Sequence, residues 1–471
     1  MSGPSVFRRF LSSATAAITA FFTLAQVHQH TTVHHPEWTR NAVLYEVNVR
    51  QFTTDGTFNS LLEHLPRLSE LGADILWLMP VHPISRENRK GSLGSYYAVA
   101  DYKAVNPEFG SLSDFITLVE EAHALGMKVI LDWVPNHTGC DHPWVKSHPE
   151  RYARDSEGQM YGPYDWTDVY KLDYSSQSTR AAMLDAMTFW LKYCDVDGFR
   201  CDVAGEVPVD FWNEARQKLD KAAGRPIFML AESSEPALTL HAFDADYNWP
   251  MKDLFSAIAN SASQYTVGDT RTFEPATARD IIALVKEQNK EFPVDSYLMN
   301  MTSNHDLNSW EGTEFRRLGK FAAPFAILTY VLPGMPLIYT GQETGLDRAL
   351  EFFSKDAPPQ WEPRNDFFSF YQKLNSLKHS RRELAAGAEG GNIRTVSVGA
   401  SSPDILAFRR ELDGEGIFFA ANFGTTAQNF APCSCLDGLA DCTDVFTGAQ
   451  VTTLPAVLEP GKYILFTYTT L

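Results

Sequence analysis

Asp197-Gly198-Phe199-Arg200-Cys201-Asp202-Val203-Ala204 is a short run that ends on a carboxylate, and the reading of the fold turns on it. As a buried strand it alternates: Arg200 and Asp202 point to one side, Phe199 and Cys201 to the other. An arginine two residues before an aspartate on the same face favours the charged carboxylate. An ionised carboxylate at a strand end is what covalent catalysis by an acidic side chain needs. An isolated R-x-D is also a common structural ion pair, so its meaning rests on its surroundings.

Working outward, similar apolar runs recur. Strands are expected at Ala42–Val49, Ile75–Met79, Val129–Val134, Gly198–Asp202, Ile227–Ala231, around Ala242–Tyr247, at Leu298–Thr302 and at Leu337–Tyr339. Between them the periodicity predicts helices over Ser60–Leu71, stopped by Gly72, over Ser113–Leu125, stopped by Gly126, and over Thr179–Tyr193. Phe321–Tyr339 reads as a buried helix and strand rather than a membrane span, because Pro324, Pro333, Gly334 and Pro336 interrupt it. Strands that are apolar on both faces and alternate with helices imply an α/β fold, a closed (β/α)8 TIM barrel. Residues 138–173, rich in His, Pro, Asp, Tyr and Trp, read as a short subdomain inserted after the third strand. After about Gly387 the helical periodicity ends and short strands follow one another. The expected organisation is a targeting segment and linker (1–39), the barrel with its insert (40–386) and a C-terminal antiparallel β-sandwich (387–471).

Residues 1–25 carry Arg8 and Arg9, then no charge from Phe10 to Ala25. This is the pattern of a secretory leader, too short to span a membrane, and it leaves the mature chain without a stable membrane span. The expected location is secreted or extracytoplasmic, with an organelle as the alternative, since no acid precedes Glu37. His28, His30, His34 and His35 read as linker. A formal net charge of -18 argues against nucleic acid and suits a neutral ligand such as a carbohydrate. Six cysteines in 471 residues make no disulfide scaffold. Cys201 is expected between sheet and helix as a small hydrophobe. Cys433 and Cys435, two apart on one strand face, are poorly placed to bond each other. A Cys433–Cys442 bridge is open in an oxidising compartment, and zinc at the three cysteines lacks a fourth ligand.

Polar residues collect just past the expected strand ends: Asp132, Asn136 and His137; Arg200 and Asp202; Glu232; and Asn304, His305 and Asp306. In a βα barrel all of these reach the one face where the loops meet. Carboxylates sharing a cleft raise at least one pKa among them, which supplies an acid at neutral pH.

D-W-V-P-N-H (132–137), G-F-R-C-D-V-A (198–204), A-E-S (231–233) and S-N-H-D (303–306), in that order, resemble the four signature regions of the α-amylase superfamily of retaining glycoside hydrolases. Gly94–Tyr97 with Asp101-Tyr102 and Asn106–Gly110 is similar to its β2–β3 loop, and Gly334–Glu343 to its eighth strand. The resemblance runs from about Asn41 to Leu471. It implies Asp202 as nucleophile, Glu232 as general acid and then base, and Asp306 as binder of the distorted sugar. It also implies that Arg200 keeps Asp202 charged, that His137 and His305 hydrogen-bond the reacting sugar, and that Tyr97 stacks on it. A retaining pair of carboxyls is expected about 5–5.5 Å apart. Asn136 matches a position that ligates structural Ca2+, with Asp141, Asp165 or Asp168 as further donors. Glu206, where many α-amylases have Lys-His after the fourth strand, resembles the neopullulanase and cyclomaltodextrinase branch and is expected near the substrate. The implied substrate is an α-1,4-glucan such as starch or a maltooligosaccharide. The alternatives are a cyclomaltodextrinase or neopullulanase, and a transferase or isomerase of the same superfamily. A non-catalytic binding protein is disfavoured, since all three carboxylates are present.

Overall fold

The computed structural model describes residues 29–263, 273–361, 364–399, 402–431 and 433–471. Its strands begin with β1 (Leu44–Val47), β2 (Ile75–Leu78), β3 (Lys128–Trp133), β4 (His137–Gly139) and β5 (Val169–Lys171). They continue with β6 (Gly198–Cys201), β7 (Phe228–Ala231), β8 (Ala245–Tyr247), β9 (Tyr297–Asn300) and β10 (Met335–Tyr339). Eight of these close into a barrel in the order β1-β10-β9-β8-β7-β6-β3-β2, every pair parallel. The remaining two, β4 and β5, form an antiparallel hairpin at either end of the expected insert.

Alternation along the strands sorts the side chains into two cores. Leu44, Ile75, Trp77, Ile130, Phe228, Leu230, Tyr247 and Met299 fill the barrel interior. Tyr45, Leu76, Leu131, Phe199, Cys201 and Met229 face outward and pack under the helices. Cys201 thus lies where a small hydrophobe was expected. Gly198 opens β6 at φ +156, and a Cβ there would stand 1.8 Å from the Phe228 carbonyl oxygen. Only glycine lets β6 approach β7 this closely.

The helix expected over Ser60–Leu71 is two helices, Phe58–Leu62 and Leu65–Leu71. Thr57 and Ser60 make a capping box for the first, and Pro66 starts the second. Gly72 ends it in the left-handed region, as a C-terminal stop does. Phe321–Tyr339 divides into the buried helix Ala322–Val331 and β10. No helix among the described residues is long and apolar enough to cross a membrane.

The expectation of a linker up to residue 39 is corrected for its second half. Residues 29–35 form a strap across the N-terminal face of the barrel. Thr31 N donates to Val294 O at 3.1 Å, and Thr31 Oγ1 to Thr239 O at 2.7 Å. His35 pairs with buried Asp244 at 2.7 Å and stacks on Tyr297 at 4.4 Å, and Trp38 packs on Phe228 at the barrel floor. The leader expected over residues 1–25 falls outside the described residues.

The C-terminal region is antiparallel, as expected. Strands β11 (Asn392–Thr395), β12 (Ile405–Leu412), β13 (Glu415–Asn422), β14 (Gln428–Asn429), β15 (Leu439–Asp444), β16 (Val457–Leu458) and β17 (Tyr463–Thr470) form a five-stranded sheet, β11-β12-β13-β17-β15, and a β14–β16 ribbon. One sheet face (Leu406, Phe408, Phe419, Leu465) joins the barrel's outer core, and the other (Ala407, Phe418, Phe466) packs with Phe430 and Leu458 beside the ribbon. Arg410, fully buried, donates to the carbonyls of Leu332, Ala385 and Gly391 at 2.9, 2.9 and 3.0 Å, and to that of Val331 at 3.3 Å. Cys433 and Cys435 are bonded to each other while Cys442 is free, against the expected geometry. The chain turns at 433–435 instead of extending, and Cys435 N donates to Cys433 Sγ at 3.1 Å.

Candidate active site

Arg200 is the hub. It lies fully buried inside the barrel near the C-terminal end of β6, and its register partner across β3 is Asp132. Arg200 Nη1 donates to Asp132 Oδ1 at 2.8 Å and to Asp202 Oδ1 at 3.2 Å. Arg200 Nη2 stands 2.8 Å from Glu232 Oε2, an ion pair whose N–H is not aligned for a hydrogen bond. Asp202 and Glu232, thirty residues apart in sequence, therefore meet neighbouring nitrogens of one guanidinium. Tyr247 Oη closes the hub at 3.1 Å from Nε.

The turn after Asp202 holds the acid. Val203 adopts φ +39, a left-handed conformation that is strained for a β-branched residue. Its N–H then donates to Glu232 Oε2 at 2.8 Å. The strain is local to the two carboxylates, where a non-glycine outlier is most often tolerated.

Asp306 is reached through His305. His305 Nε2 lies 3.4 Å from Asp306 Oδ2 and 2.7 Å from Tyr97 Oη, and Tyr97 Oη donates to Asp132 Oδ2 at 3.0 Å. On its other side, His305 Nδ1 meets Glu46 Oε1 at 2.5 Å. A continuous chain, Glu46–His305–Tyr97–Asp132–Arg200, thus ends on Asp202 and Glu232. Trp77 Nε1 adds a third donor to Asp132, at 3.1 Å. The Asp306 side chain is 30% exposed, at the mouth of this buried network.

The charges set the protonation. Burial first, then the Glu232 carboxylate, raise Asp202 well above the carboxylate range, and Arg200 only partly opposes them. Arg200, expected to keep Asp202 charged, acts in that direction against both. Burial would lower His305, but Asp306 and then Glu46 outweigh it and lift it to about 9, so at neutral pH both ring nitrogens carry hydrogen.

The other expected residues are placed as follows. Tyr97 stacks on His305 with ring centres 5.5 Å apart. His137 is buried at the start of β4, held neutral by burial with its pKa near 3. Its Nδ1 is buried without a hydrogen-bond partner. Glu206 does not point freely into the cleft. It accepts from Tyr164 Oη at 2.7 Å and Lys171 Nζ at 3.0 Å, and so ties the insert to the loop after β6. Asn136 is buried with its amide nitrogen unpartnered.

The donors offered for calcium do not converge. Asp168 lies opposite Cys140 in the hairpin and Asn136 opposite Leu172, about 13 Å apart at strand spacing. Asp168 is paired with Lys90 at 3.1 Å. Asp141 accepts the N–H groups of Arg86 and Glu87. Among the described residues no three His, Cys, Asp or Glu side chains form a metal cluster. Asn136, Asp141 and Asp168 are thus not gathered at one point.

Sequence reasoning missed Glu46 as a site residue. The signal was a lone acid inside the otherwise apolar first strand, where an uncompensated charge is costly. Its partner lies 259 residues further on.

Comparison with known proteins agrees with this geometry. A family model described as "Alpha amylase, catalytic domain" matches residues 8–161 and 151–359. The alpha-amylase MalA of Haloarcula japonica is 26% identical over 428 residues, 88% of this chain but only 59% of that protein's length. An intracellular maltogenic amylase of Bacillus subtilis is 25% identical over 455 residues, 87% of this chain and 73% of that protein. The crystal structure of an alpha-amylase from Lactobacillus plantarum matches with a TM-score of 0.76 at 29% identity, over 92% of this chain and 100% of that one.

Proposed function

We propose that this chain, a member of the alpha-amylase family of glycoside hydrolases, cleaves α-1,4-glucosidic bonds in starch-like glucans or maltooligosaccharides with retention at the anomeric carbon. The observation that carries the proposal is the single Arg200 guanidinium holding Asp202 and Glu232 side by side. That arrangement suits a nucleophile and an acid on opposite sides of one bond.

Asp202 attacks the anomeric carbon as the bond to the leaving oxygen breaks, and Glu232 gives that oxygen its proton. Glu232 then takes a proton from water, the resulting hydroxide oxygen bonds the same carbon, and Asp202 departs as carboxylate. Glu232 must carry its proton when the bond breaks. Asp306 at the mouth would accept from the sugar hydroxyls, His305 beside it would hold Asp306 and Tyr97 in position, and Tyr97 would shape the wall beside the ring. Relatives named alpha-amylase and maltogenic amylase support the choice of α-glucan.

The test is release of reducing ends from soluble starch. Asp202→Asn is expected to lower kcat by about 10^4-fold or more with an unchanged circular dichroism spectrum. No release at any pH from the wild type, or a variant that keeps most of its activity, would reject the reading. Maltotriose as sole substrate separates hydrolysis, which yields glucose and maltose, from transfer, which yields longer oligomers.

A further inference from the structure

The wall beyond Tyr97 carries more aromatic surface than one sugar ring requires. Trp310 is 59% exposed. It belongs to the five-residue π-helical turn Leu307–Glu311, which follows directly on Asp306. Its ring lies 5.3 Å from Phe352 and 5.7 Å from Phe353. Phe352 in turn lies 6.3 Å from Tyr97, at an interplanar angle of 12°, and 6.4 Å from His305. A run of rings therefore leads from the reacting position out to solvent.

This ledge is built rather than loose. Asn308 Nδ2 donates to Arg348 O at 3.2 Å, and Asn308 Oδ1 accepts from Leu350 N at 2.7 Å. Ser309 Oγ donates to Leu350 O at 3.0 Å, and Leu93 N to Phe353 O at 2.9 Å. Three loops are thus bonded together behind an indole that remains in water. Large apolar surface held outward beside a polar cleft marks a binding surface, and flat rings are what the apolar face of a sugar covers.

The topology says which part of a glucan reaches it. Glu232 follows β7 and Asp202 ends β6, whereas the Trp310 loop follows β9, two strands beyond β7, and the Phe352 loop follows β10, opposite β6. The leaving oxygen must stand beside Glu232, so the retained part of the chain runs the other way.

We propose that Trp310, backed by Phe352 and Phe353, is the platform for a second glucose ring on the retained side of the scissile bond. The chain thereby selects substrates with at least two linked glucose units on that side. The proposal rests on the roles given above to Asp202, Glu232 and Asp306.

The test compares 4-nitrophenyl α-maltoside, which can cover the ledge, with 4-nitrophenyl α-glucoside, which cannot. In Trp310→Ala the maltoside-to-glucoside ratio of kcat/KM for nitrophenol release is expected to fall about five- to tenfold, and Trp310→Phe to restore most of it. An unchanged ratio overturns the platform. If the wild type cleaves neither glycoside nor maltoheptaose, the active-site reading fails, and the platform is then decided by titrating maltotriose against tryptophan fluorescence. Quenching that disappears in Trp310→Ala upholds it; quenching that persists, or none in the wild type, overturns it.

Discussion

Glu46 and His305 meet at 2.5 Å inside the barrel, both buried. Asp306 first, and Glu46 after it, keep the imidazole charged well past its ordinary pKa. Folded, His305 holds its proton up to about pH 9, while an unfolded chain releases it near 6.5. Its contribution to stability is therefore complete below about pH 6.5 and fades as pH rises toward 9. Glu46→Gln removes the charge but keeps an acceptor. The His305 ring is expected to titrate below about 9 in that variant, read from its imidazole proton shifts across a pH series. The gap in melting temperature between variant and wild type should be wider at pH 6 than at pH 9.5. At this scale much was legible in the sequence. Asp202, Glu232 and Asp306 stood at strand ends, and the barrel brings strand ends to one face. Glu46 was not legible as a partner of His305, because barrel closure through β10 is what joins the first strand to the loop after β9. Nor was the strain at Val203, since its φ is imposed by the bond its N–H makes to Glu232.

The β4–β5 hairpin begins at His137, and a small clasp ties it to the loop after β6. Tyr164, at φ +54, and Lys171 both donate to Glu206, and these two bonds outweigh burial to keep Glu206 below the ordinary carboxylate range. Glu206→Ala is expected to raise KM for maltoheptaose several-fold with a smaller change in kcat. The melting temperature should drop by only about 1–2 °C, since a half-exposed pair contributes roughly 0.2–1 kcal/mol. Steady-state kinetics and a thermal melt decide it. A chelator should shift the melting temperature by less than about 1 °C, because Asp168 has its cation in Lys90 and Asp141 its donors in the Arg86 and Glu87 backbone; a larger loss would show calcium bound by other groups. The strands were readable from their apolar runs. The insert was readable as an insertion but its hairpin was not, because its order comes from backbone pairing, such as His137 opposite Lys171, which leaves no periodic trace in so short a hairpin.

Barrel and β domain share one outer core. Phe325 of the barrel stacks on Phe423 of the β domain at 4.6 Å, and Arg410 supplies donors to carbonyls on both sides of the junction. Burial lowers the Arg410 guanidinium to about 10, against the pull of Glu383, so it remains charged at neutral pH. Arg410→Leu leaves those carbonyls without donors and is expected to cost about 3 kcal/mol or more. Calorimetry of the wild type should show a single endotherm, shifted down as a whole in the variant. Two resolved transitions in the wild type would mean that the halves melt independently. The strap of residues 29–35 has a practical corollary. It lies against the pole of the barrel remote from Asp306, so a biotin or bead attached just ahead of Gln29 would leave the cleft facing outward, toward dissolved or granular polysaccharide.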